Sequence, residues 1–251
     1  MSLRQALSVV AIPLFLLPFA TGAASAEDWP QWRFNAARGA ASPEVLPEAL
    51  AEAWTKQLPE PVPAWPESQF KLQFDAGYEP VAAAGRLFLG SMVRDSVTAF
   101  DLETGEELWR FYAEGPVRFA PIASAERVWF TSDDGFLYCL SAAEGRLLWK
   151  VRGGPNESRV LGNERLISMW PARGGPVLRE GNIYFAAGVW PFMGIFVHAV
   201  EADTGKIVWT NSGSGSTYLT QQHSSPAFAG VAPQGYLAAT EDSLLVSGGR
   251  T

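Results

Sequence analysis

Three copies of one phrase recur along the chain: Ala99-Phe-Asp-Leu-Glu-Thr-Gly-Glu-Glu-Leu-Trp109, Cys139-Leu-Ser-Ala-Ala-Glu-Gly-Arg-Leu-Leu-Trp149 and Ala199-Val-Glu-Ala-Asp-Thr-Gly-Lys-Ile-Val-Trp209. Each ends in a glycine, three residues and a tryptophan. A repeat of fixed form constrains the fold more than any composition does, because each copy is one supersecondary unit that buries its apolar face only by stacking on the next.

Each phrase sits in a longer unit opened by a proline (Pro80, Pro121, Pro176). A short apolar strand follows, then a turn and a β-rich run: Arg86-Leu-Phe-Leu-Gly, Arg127-Val-Trp-Phe-Thr and Asn182-Ile-Tyr-Phe-Ala. The phrase supplies a third strand, a glycine turn that accepts positive φ, and a fourth strand ending in Trp. Four short antiparallel strands of this kind make one propeller blade. The predicted fold is therefore all-β: a β-propeller of four-stranded antiparallel blades, three complete blades plus the start of a fourth. The interval from Trp109 to Trp149 is 40 residues, but from Trp149 to Trp209 it is 60. The prolines place 15 of the extra residues between blades two and three, and 5 between the second and third strands of blade three. A fourth blade starts near Pro226 or Pro233 and reaches Ser243–Thr251, a tail that matches only the second strand of a blade. Because an open arc leaves strand edges unpaired, the expectation is a fragment of a longer reading frame; the alternative is an open arc that pairs with a partner.

The phrase resembles the tryptophan-docking motif of the PQQ-type β-propellers, the repeat family of bacterial quinoprotein dehydrogenases and of non-enzymatic outer-membrane assembly propellers. That motif reads Ala-x-Asp-x-x-Thr-Gly-x-x-x-Trp. The first copy matches fully, with Ala99, Asp101, Thr104, Gly105 and Trp109. The third has Glu201 at the Asp position beside Ala199, Thr204, Gly205 and Trp209. In the second, Cys139, Ser141 and Glu144 replace Ala, Asp and Thr, while Gly145 and Trp149 remain. The resemblance covers roughly residues 74–251. It implies that each Trp packs between neighbouring blades, a ring near seven or eight blades, and PQQ with calcium as a cofactor in the enzymatic branch. Residue chemistry agrees on the Trp role, since an indole has a large apolar face and one N–H that needs a partner when buried. Cys139 reads the same way, as a small apolar group in the motif's small-residue slot.

Residues 1–26 read as a secretory signal: Arg4, an apolar run from Val9 to Ala20, and Ala24-Ser-Ala26 as the cleavage site. The run is short for a membrane span. The expected localisation is periplasmic or secreted. Cys139 is the only cysteine, so no lipid-anchor Cys follows the cleavage site and no intrachain disulfide forms. The net charge of −7, with no basic run, argues against a nucleic-acid partner. Residues 27–73 form a leader. Asp28-Trp-Pro-Gln-Trp32 is expected to dock on the body, the proline-rich stretch to lie extended, and Trp54 to supply a closing fourth strand for the last blade.

In a four-stranded blade, the second-to-third loop and the blade-to-blade loop leave at the same end. Both inserts and the loop Asn211–Pro226, with Tyr218, Gln221, Gln222 and His223, thus collect on one face, where binding residues gather. The inserts bring Arg159, Arg165, Trp170 and Arg173, then Trp190, Phe192, Met193 and Phe196. Arg118, Arg173 and His223 each lie three residues before a proline, so they line the mouth of the central channel. Two readings follow: converging cations for an anionic ligand, or arginines paired with Asp or Glu across blades. His198 reads as a packed histidine, Asp133-Asp-Gly135 as a turn between strands, and Asn156-Glu-Ser158 as a glycosylation sequon of little meaning in an exported bacterial-type protein. With two histidines and one cysteine, no metal motif is supported. The preferred function is a non-catalytic binding module for a protein, glycan or small molecule. The alternative is a PQQ-dependent alcohol or sugar dehydrogenase, although the adjacent cysteines of the family's alcohol-oxidising members are missing here. A glycan-processing propeller rests only on aromatic loops.

Overall fold

The computed structural model describes residues 27–66, 68, 73–162, 164–213, 217–220 and 226–246. The stretch that the sequence reads as a signal, residues 1–26, lies outside the described residues. Blade one is β1 (Val81–Ala83), β2 (Arg86–Ser91), β3 (Ser96–Asp101) and β4 (Glu107–Tyr112), paired antiparallel in chain order. Blade two repeats this with β5 (Ile122–Ala123), β6 (Arg127–Thr131), β7 (Phe136–Ser141) and β8 (Leu147–Arg152). The longer insert then folds as a hairpin, β9 (Arg159–Gly162) with β10 (Arg165–Ser168). Blade three is β11 (Gly174–Arg179), β12 (Asn182–Ala187), β13 (Phe196–Glu201) and β14 (Ile207–Asn211), with a 3-10 turn, Pro191–Met193, in its shorter insert. A second hairpin, β15 (Thr217–Thr220) with β16 (Pro226–Ala229), follows. Next, β17 (Gly235–Tyr236) pairs parallel to β11, and β18 (Ala238–Ala239) with β19 (Leu244–Leu245) starts blade four.

Two expectations change. The stretch from Asn211 to Pro226 is not one loop: Thr217-Tyr-Leu-Thr220, rich in β-formers, pairs as a strand with the segment that Pro226 opens. Pro226 therefore does not start blade four. Hairpin register shows what does. Ala83 pairs with Arg86 and Arg179 with Asn182, and the Ser124 and Thr240 amides donate to the carbonyls of Arg127 and Ser243. In that frame Leu237 stands where Pro80, Pro121 and Pro176 stand.

The phrase works as a lock between blades. Ala99, Cys139 and Ala199 lie directly across the ladder from Trp109, Trp149 and Trp209, and a register shift follows each small residue. Gly145 has φ +67°, and a Cβ there would sit 2.6 Å from the Trp109 ring of the preceding blade. The Trp109 Nε1–H donates to the Ala142 carbonyl at 3.0 Å. Trp149 repeats the contact on Gly205 and donates to the Asp203 carbonyl at 3.1 Å. Trp54 does the same for blade one: it lies against Gly105 and donates to the Leu102 carbonyl at 3.0 Å. The chain around Trp54 belongs to none of the sheets. Trp209 is 41% exposed. Between blades one and two, Phe111 meets Phe130 and Tyr138 edge-on, over a core that includes Phe88, Val97 and Leu140.

The first residues of the leader clamp the turn ends of all four inner strands. Trp29 exchanges two backbone bonds with Ala82, and Pro30 and Ala36 accept from the amides of Ala123 and Ala239. The Gln31 amide both donates to and accepts from the Leu178 backbone. The buried Arg38 donates to the carbonyls of Leu237, Pro176 and Trp32. Trp32 stacks on Tyr236 at 3.9 Å and 6°.

Gly145→Ala is expected to cost about 2–4 kcal/mol, from left-handed backbone strain and collision with Trp109. Trp109→Phe loses one hydrogen bond and part of the ring, and should cost less. Urea unfolding of both variants checks the order.

Candidate functional site

The ends of the inner strands opposite the leader clamp form the end of the arc at which the sequence reading places the channel mouth, called the mouth below. Arg118 and Arg173 stand there, each three residues ahead of its strand proline, and both are buried. They converge on one carboxylate. Arg118 Nε donates to Asp133 Oδ2 at 2.7 Å, while Arg173 Nε and Nη2 donate to Asp133 Oδ1 and Oδ2, both at 2.9 Å. Arg118 Nη1 also donates to Asp75 Oδ2 at 2.6 Å and to the Val62 carbonyl at 3.0 Å. The Ala64 amide donates to the same Asp75 oxygen at 2.9 Å. The cluster joins the leader, the connection between blades one and two, the β6–β7 turn and the entry to blade three.

Formal charge in the cluster sums to zero, two guanidiniums against two carboxylates. Burial by itself would raise the Asp133 pKa. Coulomb attraction to Arg173 and then Arg118, with their hydrogen bonds, outweighs it and brings the carboxyl from 3.8 down to about 2. Arg118 is held above its ordinary value against the opposing effect of burial, by Asp133 first and Asp75 second. Of the two readings of these arginines, pairing with acids across blades is the arrangement present.

His223 lies outside the described residues. In the register set by Leu237, the counterpart of Arg118 and Arg173 in blade four is Gln234, whose Oε1 accepts from Trp65 Nε1 at 2.8 Å; in blade one it is Gly77. Asp133-Asp-Gly135 does form the β6–β7 turn, but its role is larger. Asp133 faces inward as the anchor of both arginines, while Asp134 faces the hairpin and accepts from Tyr138 Oη and from the Phe136 amide. The available signal was the adjacency itself: two consecutive acids beside strands of period two place one side chain inward.

The inserts do gather on this face. The β9–β10 hairpin folds back over the mouth, with Arg159 paired to Glu114 and Arg165 to Asp95. Trp170 Nε1 donates to the Met193 carbonyl at 2.7 Å, tying the base of the first insert to the second. Trp190 meets Trp65 edge-on at 5.9 Å and stacks on Phe192. His198 is packed instead. It stacks on Phe185, Nε2 donates to the Gly153 carbonyl at 2.8 Å, Nδ1 meets Thr210 Oγ1 at 2.9 Å, and burial lowers its pKa. Burial pushes the Cys139 thiol up to about 12, so it is not a thiolate at neutral pH. Among the described residues no three His, Cys, Asp or Glu side chains are grouped as metal ligands, and no helix is long and apolar enough to cross a membrane.

The depressed Asp133 pKa fixes the sign of a pH effect. Its stabilisation is fully present above about pH 4 and is lost as pH falls through about 2; it amounts to about 2 kcal/mol. Asp133→Asn removes that slope and leaves two buried cations with Asp75 as their one carboxylate, at a cost of about 3–5 kcal/mol at pH 7. Urea unfolding of both proteins from pH 7 to pH 2 measures both effects.

Comparison with known proteins places these features. Residues 31–169 match the profile of the family described as outer membrane protein assembly factor BamB. The dehydrogenase subunit of alcohol dehydrogenase (quinone) from Gluconobacter oxydans is 30% identical over 123 residues, which is 44% of this chain and 16% of that protein. Quinohemoprotein alcohol dehydrogenase ADH-IIG of Pseudomonas putida is 31% identical over 143 residues, 52% of this chain and 18% of that protein. The chain thus spans less than a fifth of the length of either relative. The crystal structure of quinohemoprotein alcohol dehydrogenase from Comamonas testosteroni aligns with 74% of this chain and 27% of its own, at a TM-score of 0.52 and 20% identity. That likeness is one of fold.

Proposed function

We propose, from the premise that the chain belongs to the PQQ-repeat β-propeller family, that it is an exported, non-catalytic binding module which works through the loops at the channel mouth. The observation that carries this reading is the closed charge cluster. Both arginines at the mouth are paired with internal carboxylates, Arg118 with Asp133 and Asp75 and Arg173 with Asp133, so the floor of the mouth is a structural joint. The loops above it, by contrast, are elaborated and partly apolar at their surface.

The family's quinone cofactor tests the reading. PQQ is a planar tricyclic tricarboxylate, and it binds together with calcium. It calls for cations whose charge is not already matched by internal acids and for a carboxylate group to hold the metal. Arg118 and Arg173 are bonded to internal acids, and the described residues group no metal ligands. These residues do not fit the cofactor. A second reading, a quinone-dependent alcohol dehydrogenase, is favoured by the two relatives that carry that name. Under it, the residues that hold PQQ lie outside those described here.

Export to the periplasm or medium, with cleavage after Ala26, rests on the N-terminal sequence and belongs to the same proposal. Incubation of the native exported protein with PQQ, calcium and a panel of primary alcohols is expected to give no reduction of a redox dye. Turnover that saturates with PQQ would replace the binding module with the enzyme.

A further inference from the structure

A second feature of the mouth lies off the axis, where the two inserts meet the leader. A cavity of about 180 Å³ opens between the β9–β10 hairpin, the 3-10 turn and Trp65. Its walls include Trp65, Trp190, Met169 and Met193, and among the described residues Arg173 is the only charged one lining it. From these observations the geometry points to a binding site for a single neutral aromatic ring that carries a hydrogen-bond acceptor. The inference rests on the binding-module reading and names its ligand class.

Three observations set that class. The first is size. A cavity of about 150 Å³ holds one benzene ring, so the recessed part of this one takes a single ring with a small substituent. The second is the wall chemistry. Thioether sulfurs and indole faces both favour an aromatic guest over an aliphatic one. Trp65 is already held edge-on to Trp190, and the Arg173 guanidinium lies 5.7 Å from the Trp65 ring centre, so this wall is fixed before a guest arrives. The third is charge. Asp133 takes Nε and Nη2 of Arg173 and matches its charge, while Nη1 takes part in neither bond. A guest oxygen can accept from Nη1, but a guest carboxylate would compete with Asp133 for a cation that is already paired. Leu161, which is 75% exposed, forms the rim.

The test is titration of the full native protein with benzamide, followed by saturation-transfer NMR from protein methyl groups to the ring protons, with cyclohexanecarboxamide and benzoate as comparisons. Benzamide is expected to bind saturably, the cyclohexane analogue several-fold more weakly, and benzoate no more tightly than benzamide. Leu161→Arg at the exposed rim and Met193→Trp, which fills the space, should each weaken benzamide by about tenfold, with unchanged amide spectra away from the mouth. Absence of saturable binding to the folded protein overturns the site. Affinity unaltered in both variants also overturns it, and benzoate binding about tenfold more tightly overturns the neutral class. These outcomes are separable from the function itself: dye reduction with PQQ would sink the binding-module reading whatever benzamide does, and lack of benzamide binding without turnover leaves that reading standing.

Discussion

The architecture depends on one contact made three times, at the leader–blade one, blade one–two and blade two–three boundaries: an indole lying in the hollow that a glycine leaves. A ring within 2.6–2.8 Å of a built Cβ position tolerates no side chain there. The positive φ of the same residue, +67° to +74°, turns the β3-type strand into the β4-type strand. Trp109 and Trp149, which fill the hollows of the following blades, sit on outer strands opposite the small residues Ala99 and Cys139, and Ala199 stands in the same place opposite Trp209. Small residue, glycine and tryptophan therefore form one interlocked set. The Asp and Thr of the motif are secondary. Asp101 accepts from the amides of Glu103 and Thr104 and so caps its turn, yet in blade two Ser141 and Glu144 stand at those positions and the Gly145 amide still donates to the Ser141 carbonyl at 2.9 Å.

The two ends of the axis are tied by different chemistry. At the turn ends, the leader uses neutral partners: backbone bonds of Trp29, Pro30 and Ala36 and the side-chain donors of Gln31 and Arg38 to carbonyls together reach all four inner strands without an ion pair. At the mouth, four separate stretches meet through buried ions. Asp133 stays ionised inside the protein only because two guanidiniums flank it, and each of them is stabilised in turn by it. Losing any member leaves an uncompensated buried charge, so the leader near Asp75 and the entries to blades two and three are committed to a single arrangement. That arrangement is the rigid base on which both inserts stand.

Much of this was legible in the sequence, and the limits have physical causes. The repeat exposed the blades because Gly and Trp are irreplaceable in the lock, and the strand prolines placed both inserts. At the fourth blade the prolines left two starts open, near Pro226 or Pro233: Pro226 belongs to a hairpin, and the inner strand follows Pro233, with Leu237 in the position that proline holds elsewhere, where no punctuation marks it. Spacing from proline also put Arg118 and Arg173 at equivalent positions. It could not identify their partner, because Asp-Asp-Gly carries a strong turn signal that masks an inward acid. The leader's clamp left least trace. Gln31 and Arg38 act on residues 138 to 199 positions away, and contacts of that range create no local pattern.

The charge-neutral floor and the apolar cavity beside it belong together. A protein of net charge −7 repels anions at long range. An anionic guest that reached the mouth would find both arginines bonded to carboxylates and would have to displace one, leaving Asp133 or Asp75 buried beside a second negative charge. A neutral ring meets neither barrier. It loses only the hydration of its own faces, and it gains contact with indoles and thioethers that packing has already positioned, so little ordering entropy is lost on the protein side. Discrimination at this mouth therefore falls to cavity shape and to one directional donor, with the buried ions serving to hold that donor still.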